Sequence, residues 1–222
     1  MYSLVVDMCR RRSGRPHCEA HQARPCLRLL EKDGTRLVVD PGTFTPDAAE
    51  AVAQADAVLI THEHFDHFDA QVVAAALEAR PGLHVYGTAA VAAALGSHDG
   101  RVHVVAAGDT FRVGSVTVGV HGHLHARIHP DIPCPDNVGY LLDDGAVHHP
   151  GDAYCVPDAP VRTLLLPTSG PWTKLGEAAD YVRAVKPERV VEIHELMLSE
   201  LGAVHRPSAR RGRADRHPGR AP

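Results

Sequence analysis

The segment Thr61-His62-Glu63-His64-Phe65-Asp66-His67 decides the reading of this chain. It follows the apolar run Ala57-Val58-Leu59-Ile60 and precedes a helical pattern that starts at Asp69. That places it in a strand-to-helix loop, where ligand groups collect in α/β sheets. In extended backbone His62 and His64 leave the same face and reach one metal ion. Asp66 and His67 follow where the chain turns into the helix, and they can address a second ion close by. Three imidazoles and a carboxylate within six residues are costly as mere packing.

Zinc takes about four N, O or S donors, so this loop leaves two ions under-coordinated and further donors must come from elsewhere. Three later segments offer them. His121-Gly122-His123-Leu124-His125-Ala126-Arg127-Ile128-His129 supplies four histidines, of which one or two have suitable geometry. His148-His149-Pro150-Gly151-Asp152 ends a strand in a Gly-Asp turn whose carboxylate can bridge two ions. Val190-Val191-Glu192-Ile193-His194 ends a buried strand in histidine.

Around these segments the texture alternates between strand and helix. Strands are expected at Cys26–Glu31, Arg36–Asp40, Ala57–Thr61, Leu83–Gly87, Val102–Val105, Phe111–His121, Val138–Leu142, Val147–His149, Val161–Pro167 and Arg189–His194. Helices are expected at Pro46–Ala55, Asp69–Ala79, Thr88–Leu95, Lys174–Val185 and His194–Leu201, with Asp69 an N-cap. Runs such as Leu37-Val38-Val39 are apolar on both faces, as in strands buried under helices, whereas Phe111 to Val120 alternates like a half-exposed antiparallel strand. The mixture predicts a mixed-sheet α/β or layered αββα domain over residues 26–203. An irregular segment (1–25) precedes it and a disordered basic tail (204–222) follows.

The 222 residues carry a formal charge of −4, but the +5 of residues 205 to 222 leaves −9 on residues 1 to 204. A body that acidic repels phosphate backbones, which argues against a nucleic-acid partner while tolerating a small-molecule anionic ligand whose charge bound metal neutralises. No apolar run approaches the roughly 20 residues needed to span a bilayer, so no membrane partner is expected. Five cysteines without a C-x-x-C pair fit reduced thiols and a cytoplasmic location. The loop Ser169-Gly170-Pro171-Trp172-Thr173-Lys174 follows a strand, as pocket loops do. Its sole tryptophan either walls a substrate site, with Lys174 meeting an anionic group, or packs in the core with Lys174 in solvent. The oligomeric state is not legible in the sequence.

An H-x-H-x-D-H segment followed by a separate His, an Asp and a final His, each at a strand end, resembles the metallo-β-lactamase-fold metallo-hydrolases. The resemblance runs from about Leu27 to Gly202, and Asp40 resembles that family's first-motif aspartate, which supports the site without binding metal. The segments around His125, Asn137, Asp152, Trp172 and His194 look most like the branch containing ascorbate-6-phosphate lactonase. The resemblance implies a four-layer αββα sandwich of two mixed sheets flanked by helices. It also implies two zinc ions, with manganese or iron as alternatives. His62, His64 and His125 would hold the first ion, Asp66, His67 and His194 the second, and Asp152 would bridge them. His129 is the alternative to His125, and otherwise lies on the substrate side with Trp172 and Lys174.

The implied activity is hydrolysis of a small lactone or ester by a metal-bound hydroxide that Asp66 orients and deprotonates. The alternatives are a phosphodiesterase or nuclease of the same fold, and a non-catalytic metal-binding protein whose basic tail binds nucleic acid. Two features depart from the family pattern. The stretch Ala23 to Leu29 lacks the usual histidine-containing turn, and the chain becomes Arg/Pro-rich near Ala203. Both fit an altered reading frame or a misassigned start, an expectation that resequencing the gene with its flanks tests.

Overall fold

The computed structural model describes the strand Ser3–Val5 and residues 28–195. Two six-stranded mixed sheets face each other. The first runs β1 (Ser3–Val5), β2 (Arg28–Lys32), β3 (Thr35–Val39), β4 (Ala57–Leu59), β5 (His84–Gly87) and β6 (Val102–Val104), in that spatial order. Its first three strands pair antiparallel and its last four parallel. The parallel crossovers carry α1 (Ala48–Gln54), α2 (Ala70–Ala79) and α3 (Ala89–Leu95). The second sheet runs β7 (Thr110–Val113), β8 (Val116–His121), β9 (Gly139–Leu142) and β10 (Val147–His149), all antiparallel. It continues into parallel β11 (Thr163–Pro167) and β12 (Arg189–Ile193), joined by α4 (Leu175–Val185).

Strand periodicity sorts side chains into three apolar layers. Leu37, Val39 and Leu59 meet Val118, Val120, Tyr140 and Leu165 between the sheets. The alternate residues Val38, Val58, Ile60 and Val85 face Val52, Val73, Leu77 and Val91 of the first three helices. On the far side Leu164 and Leu166 pack on Tyr181 and Val185 of α4. The result is the expected four-layer αββα order, and each fully buried aliphatic side chain contributes about 1.5–3 kcal/mol. No helix among the described residues is long and apolar enough to cross a membrane.

Local sequence sets the helix starts. Asp69 accepts the N–H groups of Gln71 and Val72 and Thr88 that of Val91, so α2 and α3 begin where capping predicts. One expectation fails, since Phe111–His121 is not one strand but the hairpin β7–β8. Val113 pairs with Val116 across a two-residue turn in which Gly114 adopts φ +51°. The turn is fixed from outside, because Thr35 Oγ1 accepts the Ser115 N–H at 3.0 Å. Strand β1 falls in the stretch read as irregular. Of the helix expected from His194 to Leu201, residues 194 and 195 are coil and the remainder lie outside the described residues, as do the basic tail and most of the N-terminal segment.

Candidate metal centre

The C-terminal ends of β3, β4, β10, β11 and β12 deliver Asp40, Thr61-His62, His149 to Asp152, Ser169 to Trp172, and His194 to one edge of the sandwich. Two of these residues leave their strands in the left-handed region, Asp40 at φ +52° and His194 at φ +57°. This strained geometry is rare for residues with a side chain and gathers at functional sites. Close approach needs glycine at two points. A Cβ at Gly42 would lie 1.8 Å from the Asp66 carbonyl oxygen, and one at Gly151 (φ +64°) would lie 2.3 Å from Asn137 Oδ1.

Asp40 organises the floor. Its Oδ1 accepts the Thr61 N–H and its Oδ2 the Thr61 hydroxyl, each at 2.8 Å. The same Oδ2 lies 2.8 Å from His67 Nδ1, which donates to it. Having given its proton to Asp40, the Thr61 hydroxyl accepts from His62 Nδ1 at 3.0 Å. His125 Nδ1 donates to the Ala126 carbonyl. Each of these three rings is thus held by its Nδ1, which leaves Nε2 unprotonated and turned inward, the arrangement metal-ligating histidines adopt.

The inward atoms converge. His62 Nε2 lies 3.1 Å from His64 Nδ1, and His67 Nε2 lies 3.3 Å from Asp152 Oδ1. Asp152 Oδ2 lies 3.5 Å from His125 Nε2 and 3.2 Å from His194 Nε2, and the latter is also 3.2 Å from Asp66 Oδ2. Three donor groups have ligand atoms within 4.8 Å of one another. They are His62, His64 and His125; His62, His67 and Asp152; and Asp66, His67 and His194. Asp152 is itself anchored, its N–H donating to Asn137 Oδ1 and its Oδ2 accepting the Trp172 indole N–H at 2.8 Å.

The electrostatics suit a cation. Burial, reinforced by neighbouring imidazoles, holds His62 well below the ordinary histidine range and lowers His64 too. Burial would raise the two carboxyls, but the surrounding histidines outweigh it, so Asp152 titrates well below the usual range and Asp66 is also lowered. Neutral imidazoles and ionised carboxylates are the forms that bind metal. Asp152 Oδ1 is buried without a hydrogen bond, an arrangement that costs about 1–3 kcal/mol unless a cation compensates it. The donor set therefore fits bound metal.

Sequence reasoning placed seven residues here, and the structure brings all seven together. Of the two candidates in the His121–His129 segment, His125 is buried inside the cluster, while His129 has a 59% exposed side chain and pairs with Asp131 outside it. His121 and His123 also stay outside the three donor groups. Trp172 is buried and donates its indole N–H to Asp152, and Lys174 is 76% exposed and paired with Glu177. Both residues also line a cavity of about 370 Å³ with Ala126, Arg127, Ile128, Pro130, Pro171, Thr173 and Glu177. Sequence reasoning gave no role to Thr61, Asn137 or Ser169. The polar residues next to the motifs were the only available signal.

Residues 25–194 match the β-lactamase superfamily domain family. The chain is 41% identical to Protein Rv0786c of Mycobacterium tuberculosis over 183 residues, covering 81% of this chain and 84% of that one. It is 31% identical to a UPF0173 metal-dependent hydrolase of Myxococcus xanthus over 185 residues, 72% of this chain and 64% of that one. The metallo-β-lactamase fold protein YhfI of Bacillus subtilis superposes with a TM-score of 0.58 at 15% identity, covering 79% of this chain and 80% of that one. With residues 25–194 matched, the chain belongs to the β-lactamase superfamily domain family, and it carries the metallo-β-lactamase fold.

Proposed function

We propose that the protein is a dinuclear metal-dependent hydrolase acting on a small lactone or ester that carries an anionic group. One observation carries this reading. Asp152 reaches His125 of one donor set and both His67 and His194 of the other, and so stands between the two sets. In this reading His62, His64 and His125 hold one ion, Asp66, His67 and His194 hold the other, and Asp152 bridges them. The Myxococcus relative, a metal-dependent hydrolase by name, supports the metal-dependent hydrolase part of this reading. Two ions in that setting supply Lewis acidity toward a carbonyl oxygen and acidify water, with zinc favoured by the imidazole-rich set and manganese or iron as alternatives.

The chain's own groups do the rest. Asp66 has a 24% exposed side chain against 4% for Asp152, so it is the carboxylate an incoming substrate meets. Its Oδ2 is steadied by His194, and its lowered pKa keeps it ionised at neutral pH. It accepts a proton from the attacking water and returns it to the leaving alcohol. Trp172 holds Asp152 from behind and also walls the cavity. Arg127 lines that cavity, and its side chain has no ion-pair partner among the described residues. Lys174 in the same wall is neutralised by Glu177. Arg127 is therefore the handle for a substrate carboxylate or phosphate, with Lys174 at the rim.

Metal analysis of purified protein should find about two ions per chain. A screen of lactone, ester, thioester and phosphodiester substrates should give an ester or lactone activity that His62→Ala abolishes. Protein that takes up no metal overturns the reading, and activity confined to phosphodiesters replaces its substrate with the nuclease alternative.

A further inference from the structure

His149 ends β10 two residues after Val147, on the strand face that looks between the sheets, and is buried. Its Nδ1 accepts the Gly151 N–H at 3.1 Å. A backbone N–H only donates, so the ring proton of the neutral imidazole sits on Nε2. That nitrogen makes no hydrogen bond and faces Asp40 Oδ2 across 3.7 Å. The same oxygen already receives the Thr61 hydroxyl and His67 Nδ1. The contacts close a ring: Gly151 to His149, His149 to Asp40, Asp40 to His67, and His67 Nε2 to Asp152 at 3.3 Å, one residue from Gly151. Asp40 and His67 follow strands of one sheet, and His149 and Asp152 belong to the other.

We propose that His149 is a positioning residue that clamps the Gly151-Asp152 turn of the second sheet against Asp40 of the first, and so fixes the angle at which Asp152 and His67 meet their shared ion. The inference rests on the dinuclear reading above. Its Nε2–H lies beyond hydrogen-bond length from Asp40, and so acts as an oriented dipole on the carboxylate that His67 depends on. The two ligands come from different sheets, so their separation depends on contacts that cross from one sheet to the other.

Isosteric replacements separate the two halves of the clamp in the full-length protein. His149→Asn keeps an acceptor for Gly151 and loses the group facing Asp40. His149→Gln keeps an N–H facing Asp40 and loses that acceptor, and His149→Leu loses both. Each is titrated with Co²⁺ against a chelator and followed by the cobalt absorption spectrum, with circular dichroism confirming the fold. His149→Leu is expected to weaken the more loosely held ion about 10- to 100-fold and shift its absorption band, and the two polar variants each to recover part of both. Wild-type affinities and spectra in all three variants overturn the inference while leaving the dinuclear reading intact. A wild-type protein that binds fewer than two ions overturns both.

Discussion

Among the described residues two histidine pairs sit at hydrogen-bond distance, and their surroundings differ. His62 Nε2 and His64 Nδ1 are 3.1 Å apart in a loop beyond a strand end, and His84 Nδ1 and His103 Nε2 are 2.9 Å apart on neighbouring strands β5 and β6. Around the first pair stand Asp66, Asp152, His67 and His125, whose donor atoms point inward. Around the second stand rings: His103 stacks on Tyr86 at 4.6 Å and Tyr86 on Phe111 at 4.0 Å. Histidine density, high throughout this chain, does not make a site. Carboxylates meeting imidazoles whose outer nitrogens are already engaged do.

The sharpest way to break that comparison is to remove a carboxylate from the first region. Asp66→Asn keeps the shape but cannot take up a proton, and hydrolysis is expected to fall about 10²- to 10⁴-fold in kcat, measured on whichever ester or lactone the wild type cleaves. A variant within threefold of wild type would deny Asp66 its proton-handling role.

A second contrast lies within β10, whose His148 points away from the site toward α4. Its Nε2 lies 3.1 Å from the Tyr181 hydroxyl, and burial pushes its pKa down to about 4. An unfolded imidazole takes up a proton near pH 6.5, so between pH 6.5 and 4 the unfolded chain binds the extra proton. Stability is therefore lost as the pH falls through that window, by about 3 kcal/mol for this group. His148→Gln is expected to flatten the acid limb of the melting-temperature profile. An unchanged slope would place the acid sensitivity in the metal cluster instead.

Trp172 tests how far the first region extends. Its indole N–H is one of the few donors that Asp152 has from outside the histidines. Trp172→Phe keeps most of the ring and is expected to cost about 1.5–3 kcal/mol, the range for a hydrogen bond to a charged group. The loss should appear in the melting temperature of the metal-loaded protein. A smaller loss would leave Trp172 as cavity wall alone.

How much of this was legible in sequence follows from where the information sits. Helices α2 and α3 were readable because Asp69 and Thr88 cap them locally, and the first metal segment because its donors are adjacent in the chain. The β7–β8 hairpin was not, because a two-residue turn leaves the apolar alternation unbroken and the residue that pins it, Thr35, is 80 positions away. Strand β12 reads as reaching His194, yet the strand stops at Ile193 and His194 swings to φ +57°, which brings its Nε2 near Asp66 and Asp152. The choice of His125 came from resemblance, since four histidines in nine residues look alike until a fold buries one of them. The contacts of Trp172 and His149 join separate segments, and neither leaves a mark in local pattern.

The smallest expected effect belongs to the second histidine pair. His103 is lowered by burial and then by His84, so it is neutral at pH 7 and contributes a flat ring rather than a charge. The stack it begins runs from β6 through Tyr86 to Phe111 and ties the edge of one sheet to the edge of the other. His103→Ala is expected to cost about 0.5–1.5 kcal/mol, the worth of one aromatic contact. His103→Phe, which restores the ring without its nitrogens, should recover most of that loss. Neither should change metal content, because His84 and His103 stand outside the groups of described residues that could hold a metal ion. If His103→Ala lost metal as well as stability, the two regions would be coupled, and the distinction between an imidazole that stacks and an imidazole that ligates would fail for this fold.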